Sequence, residues 1–249
     1  MIALNGNFEQ RVGGIIGHSL TAGVYYLVFL ILNNIDYKYF NSKKDIYIII
    51  DIILAIIGCL MSGGRVATIL VILQSLIYVY TCIKNRVLKF IIFPIIGVFV
   101  VNSKIFYSLI WSRFIESSTL YGDFTNGRLL SLKALIENNI KPNFLLGFGN
   151  GYAIRTTWIT LQTSGLENPI IMFIYDYGIL TTLIIYLLIL VFPVIYFIKA
   201  KNKFILIEYL ILFISLHTFN GIAESTGLYF VLLFILFIFK DLIKFSFKE

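Results

Sequence analysis

Long unbroken runs of apolar residues alternate with short polar connections over most of the chain, and one polar stretch, 102–168, is far longer than the others. Seven apolar runs are predicted to be helices that cross a bilayer: 14–32, 46–61, 66–83, 88–101, 178–198, 204–220 and 226–239. A spanning helix needs roughly 20 apolar residues at about 1.5 Å rise each. The runs are continuous instead of alternating, which argues against a barrel. The fourth is short at its apolar core and needs flanking residues, a thin bilayer or burial among other helices. The expected fold class is all-α: a polytopic helical membrane protein forming a single membrane domain over 1–249.

Composition agrees with that class. Hydrophobic residues make up 59% of the chain and charged ones 13%, with a mean hydropathy of +0.91, too little polar surface for a soluble domain of this size. The net charge of +7 is spread over short connections instead of one patch, so no nucleic-acid partner is expected. Its distribution is a topology signal. Lys38, Lys43 and Lys44 follow the first run, Lys84, Arg86 and Lys89 the third, Lys199, Lys201 and Lys203 the fifth, and Lys240, Lys244 and Lys248 the last. All four sites fall on one face of a seven-span chain, which the positive-inside rule makes cytoplasmic. The loop 102–177, with its amphipathic helices, is then extracytoplasmic and the C-terminus cytoplasmic. Met1 falls outside, with no basic, apolar and small-residue leader behind it. Further spans are therefore expected ahead of it, this chain being a truncated product or a fragment, unless the N-terminal tail crosses by itself. Cys59 and Cys82 lie in apolar runs, so neither a disulfide framework nor a zinc site is implied.

Candidate chemistry lies mostly in the polar connections. Arg65, in Met61-Ser62-Gly63-Gly64-Arg65, is costly at the edge of two spans unless it faces water or an anion. It is either a guanidinium snorkelling to headgroups or a planar fork for phosphate oxygens. Arg128 opens an amphipathic segment in which Leu129, Leu132, Leu135 and Ile136 recur at helical spacing, ending near Asn138 and Asn139 before Pro142. A cation in a first helical turn opposes the macrodipole; the bland reading of the segment is a helix lying on the membrane surface. Gly147-Phe148-Gly149-Asn150-Gly151-Tyr152 has no preceding strand and no following Lys-Ser/Thr, so a nucleotide loop is disfavoured. A tight turn offering backbone amides to an anion fits better. Glu167-Asn168-Pro169 precedes an apolar run too short to span, broken by Asp176 and Gly178, which reads as a short interfacial helix. Glu167 is its cap or a general base. Asp51, His18, and the group His217, Asn220 and Glu224 are read as interhelical hydrogen-bonding residues.

Taken in order, these elements resemble the C-terminal part of the O-antigen polymerase and ligase family, which acts on lipid-linked oligosaccharides. An Arg-Xaa-Gly leading into a span is matched by Arg11-Val12-Gly13 with Gly17-His18. A Ser/Gly-Arg-Ala element between spans is matched by Ser62-Gly63-Gly64-Arg65-Val66-Ala67. A Gly-Arg opening an amphipathic helix, then Pro and a Gly-Xaa-Gly turn, is matched by Gly127-Arg128, Pro142 and Gly147-Phe148-Gly149. A His-Asn or Asp-Asn leading to Gly-Ile before a span is matched by Glu167-Asn168 and Gly178-Ile179. The family carries more spans than this chain, and its ligase-like histidine is Glu167 here, which favours polymerase over ligase.

The resemblance implies metal-independent, inverting glycosyl transfer without cofactors, at the outer face of a bacterial cytoplasmic (inner) membrane. The donor is a glycan on undecaprenyl pyrophosphate and the acceptor a hydroxyl of another lipid-linked repeat unit, in capsule, lipopolysaccharide O-antigen or exopolysaccharide synthesis. It assigns Arg65 and Arg128 to the leaving pyrophosphate, Glu167 to the base, and Arg155, Asn168, Arg11, His18 and Tyr152 to substrate binding. Its partners are the lipid-linked substrate and the chain-length regulator and flippase of the same pathway. The alternatives are an O-antigen-type ligase, a transporter or flippase of lipid-linked oligosaccharide, and an inactive truncated remnant.

Overall fold

A computed structural model of the chain describes residues 19–40, 45–83, 85, 87, 89, 91, 94, 107, 111–122, 128–161, 166, 168–218, 221–223 and 233. Those residues form helices, turns and connecting loops, without a strand among them. Among the described residues, four helices are long and apolar enough to cross a membrane: Leu20–Tyr39, Asp45–Ser62, Arg65–Cys82 and Ile179–Lys199. The chain divides into two compact units, Met1–Ile110 and Trp111–Glu249.

In the first unit, α1 (Ser19–Tyr39), α2 (Asp45–Ser62) and α3 (Arg65–Cys82) pack against one another. Gly63, at φ 65°, turns the chain from α2 into α3. Small side chains let the helices close at this end. A Cβ on Gly23 would stand 3.0 Å from both Ala67 Cβ and Ser62 Oγ, and one on Gly58 would stand 2.4 Å from the Tyr26 ring. Close approach of this kind is how helices associate where lipid offers no hydrophobic drive. At the far end, buried Asn34 accepts hydrogen bonds from Thr81 Oγ1 at 2.9 Å and Cys82 Sγ at 3.2 Å. That node corrects the first expected span. The helix does not end at Leu32 but runs on through Asn33, Asn34, Asp36 and Lys38 to Tyr39. No glycine or proline interrupts it there, and the Asn34 amide oxygen is satisfied inside the bundle.

The second unit contains α4 (Ser112–Tyr121), α5 (Arg128–Glu137), α6 (Tyr152–Arg155), α7 (Pro169–Tyr177), α8 (Ile179–Lys199) and α9 (Lys203–His217). A π turn, Thr156–Thr160, extends α6, and a 3-10 turn, Gly221–Ala223, follows α9. Helix α8 widens to a π turn over Leu187–Val191, just before Pro193. Proline has no N–H and its ring crowds the carbonyl four residues back, here Ile189. That carbonyl accepts instead from the Tyr209 hydroxyl of α9 at 2.5 Å. Membrane helices tolerate proline because neighbours re-satisfy the freed group in this way. Tyr209→Phe is expected to leave the buried carbonyl bare at a cost of about 1–3 kcal/mol. A lower apparent Tm of the detergent-solubilised chain checks this; an unchanged Tm would show that the carbonyl does not depend on Tyr209.

Lys201, at φ 54°, closes α8 and Asn202 caps α9, its side chain accepting from Ile205 N–H at 3.2 Å. Near the end of α9, His217 Nδ1 donates to Phe213 O at 2.7 Å, so its Nε2 accepts from the Tyr186 hydroxyl of α8, also at 2.7 Å. The expected interhelical role of His217 is therefore met, while Asn220 and Glu224 lie outside the described residues. Of the other expected spans, 46–61, 66–83 and 178–198 coincide with α2, α3 and α8. The run 204–220 falls largely on α9. Runs 88–101 and 226–239 lie almost wholly outside the described residues.

Candidate functional site

Within the polar stretch, residues 128–161 pack onto α7. Leu135 of α5, Ala153 of α6, Leu166, and Met172 and Tyr175 of α7 form a small buried core, with Ile140 and Tyr152 packed at its edge. Helix α5 ends where Asn139 takes a left-handed conformation at φ 58°. Asn139 N–H then donates to Ile136 O at 2.9 Å and Ile140 N–H to Leu135 O at 3.0 Å. This closure satisfies the last carbonyls and returns Ile140 to the core. Tyr175 ties it down, its hydroxyl donating to Ile140 O at 2.9 Å.

Helix α5 turns only part of its apolar stripe into this core. Ser131 and Leu135, one turn apart, are its fully buried positions, whereas Leu129 and Ile136 are exposed. The inward face is narrow because one short helix, α7, with the π turn after α6, supplies the surface that it meets.

From Asn143 to Gly151 the backbone lies along the junction of α7 and α8. Phe148 N–H donates to Tyr175 O and Gly149 N–H to Asp176 O, both at 2.9 Å. The carboxylate of Asp176, itself 4% exposed, accepts from Gly151 N–H at 2.8 Å and Ala153 N–H at 2.9 Å. A second correction follows: these amides of the glycine turn are not open to an external anion, because the chain supplies its own carboxylate. A Cβ on Gly147 would lie 2.0 Å from the backbone of Asp176, so only glycine permits this contact. Asp176, read from the sequence as a breaker, is the anchor of the turn. Its signal was an ionisable residue inside the apolar run 170–177.

Around this anchor, polar side chains close the turn. Arg155 donates through Nε to Gly151 O at 3.2 Å and through Nη2 to Asn150 O at 3.1 Å. The Tyr177 hydroxyl donates to Asn150 Oδ1 at 3.2 Å. Burial pushes the phenols of Tyr175 and Tyr177 up from their ordinary value, the neighbouring Asp176 carboxylate adding to the effect at Tyr177. Both are therefore held as protonated donors. The Tyr152 ring sits 4.5 Å from that of Phe148.

Five of the eight expected site residues lie among the described ones. Arg65 is half-buried and is the first residue of α3, in the first unit, behind Gly64 as N-cap. In the second unit, Arg128 lies on α5, with Gly127 before it outside the described residues, and Tyr152 and Arg155 begin and end α6. Asn168 is the N-cap of α7, accepting from Ile171 N–H at 3.3 Å. The cap expected of Glu167 thus belongs to its neighbour, whose shorter side chain stands directly before Pro169 at the first helical position. Arg11, His18 and Glu167 lie outside the described residues. Among the described residues, no group of His, Cys, Asp and Glu is placed to hold a metal ion. Comparison with protein-family models, curated proteins and solved structures finds no match to the chain.

Proposed function

We propose that the chain is a polysaccharide polymerase that transfers an undecaprenyl-pyrophosphate-linked glycan to a hydroxyl of another lipid-linked repeat unit. One observation carries the reading beyond the sequence resemblance. Arg65 stands at the first position of α3, directly behind the N-cap Gly64. Unbonded backbone N–H groups and the positive helix end lie there, so a cation at that position serves an anionic group better than it serves the helix. A departing pyrophosphate is such a group. In this account the chain crosses the inner membrane seven times, with 102–177 outside and the C-terminus in the cytoplasm.

In the proposed step the acceptor hydroxyl oxygen attacks the anomeric carbon from the face opposite the pyrophosphate. The new C–O bond forms as the sugar–phosphate C–O bond breaks, with inversion. The hydroxyl proton passes to Glu167, and the lipid pyrophosphate leaves with the bonding electrons, stabilised by Arg65 and Arg128. Arg155, with two of its N–H groups engaged by the turn, offers the others to the substrate. The test is whether the chain lengthens a lipid-linked repeat unit, a ladder of products spaced by one unit being the expected result. Transport of the same substrate is a second reading, favoured by the fully buried Glu208 in α9 and Gln74 in α3, since buried polar groups within spans often line transport paths.

A further inference from the structure

We propose that Phe144, Leu145 and Leu146 form a wedge that inserts into the membrane leaflet at the N-terminal end of α8. These three consecutive side chains are 62%, 56% and 74% exposed, an apolar surface that water does not favour. Their height is fixed by main-chain bonds to the first turn of α8. Ile179 N–H donates to Asn143 O at 3.2 Å, Leu180 N–H to Phe144 O at 3.0 Å, and Thr181 Oγ1 to Leu145 O at 3.3 Å.

Helix α8 has 21 residues, so at about 1.5 Å each it matches a hydrocarbon core of roughly 30 Å. Its first turn then lies at the boundary between acyl chains and headgroups, and so does the wedge. Ile179 and Leu180, to which the wedge is bonded, are themselves 37% and 40% exposed, continuing the apolar surface into the span. Exposed Lys141 stands three residues before Phe144, where an ammonium meets lipid phosphates while the apolar residues go deeper.

The wedge is also held firmly enough to keep this depth. Gly178, at φ 92°, lies so close that a Cβ there would stand 2.7 Å from Leu145 O, and Gly147 packs directly on Asp176. The loop has no slack with which to lift its apolar residues away from the membrane. Lipid is the occupant because the segment that carries the wedge is bonded to the end of a spanning helix. A second protein would have to seat itself at that same boundary.

The inference rests on α8 crossing the bilayer, and the experiment separates the two. Leu146→Cys, Leu188→Cys on the 61% exposed mid-span position of α8, and Lys141→Cys are each labelled with a nitroxide in the full chain. Cys59 and Cys82 are buried, and unlabelled parent protein controls for them. Collisions with oxygen, which partitions into lipid, and with a water-soluble nickel chelate are measured in phosphatidylglycerol–phosphatidylethanolamine vesicles. The wedge predicts that the Leu146 label favours oxygen, as the Leu188 label does, while the Lys141 label favours nickel. A Leu146 label favouring nickel beside a Leu188 label favouring oxygen overturns the wedge and leaves the span standing. Both labels favouring nickel overturns both, and a Leu146 label shielded from both reagents shows protein there, overturning the lipid occupant.

Discussion

Gly147→Val is expected to unseat the glycine turn from α7, at a cost of about 3 kcal/mol or more. The clash is with backbone, since a Cβ would approach the Asp176 carbonyl carbon and oxygen to 2.0 Å, and no rotamer change relieves it. Its consequence reaches beyond one contact. The bonds from Phe148 and Gly149 to Tyr175 and Asp176, and the carboxylate bonds to Gly151 and Ala153, all depend on that approach. Losing them leaves Asp176 buried without its donors, which is the expensive way to break a charge-assisted bond. The apparent Tm of the detergent-solubilised chain is expected to fall by roughly 10 °C. Gly149→Ala serves as the control. Nothing lies within 4 Å of its Cβ, and only its φ of 99° is strained, so a smaller loss is expected. Equal losses for the two would show that backbone strain, not the docking on Asp176, sets the cost.

Arg65→Ala and Arg128→Ala are each expected to slow glycan lengthening by about 100-fold or more, the usual effect of removing a donor aimed at developing negative charge. Lysine at either position keeps the charge but not the two-pronged geometry, so partial recovery is expected. Stability is the discriminating readout. A cation in the first turn opposes the helix dipole, so alanine at position 65, the start of α3, is expected to lower the apparent Tm far less than it lowers lengthening. Loss of lengthening with Tm retained identifies arginines that serve the substrate. Loss of both together would place them in the fold instead.

How much of this was legible in the sequence differs from element to element. Helices α2, α3 and α8 appear where continuous apolar runs put them, because run length against bilayer thickness is a strong local signal. The end of α1 was not legible: Asn33, Asn34 and Asp36 look like a loop until Thr81 and Cys82 come across from α3 to bond Asn34. Spacing marked the apolar stripe on α5 but not which of its members, Leu135, is fully buried within the protein. In the candidate site, Arg65 at a helix start follows from the glycines before it. Asp176 did not declare its role, because a carboxylate and the amides it binds 23 and 25 residues away share no local pattern. Asn168, and not Glu167, caps α7 because proline at the next position fixes the register of the helix start.

The most direct measurement of the central claim is the length of the product. The purified chain is reconstituted in vesicles with an undecaprenyl-pyrophosphate-linked repeat unit, and the glycans are released and resolved by size. The account predicts a ladder that grows one repeat unit at a time, is insensitive to chelators, and disappears in the Arg65→Ala and Arg128→Ala proteins. Repeat units that stay single in the presence of folded, membrane-inserted chain would contradict it.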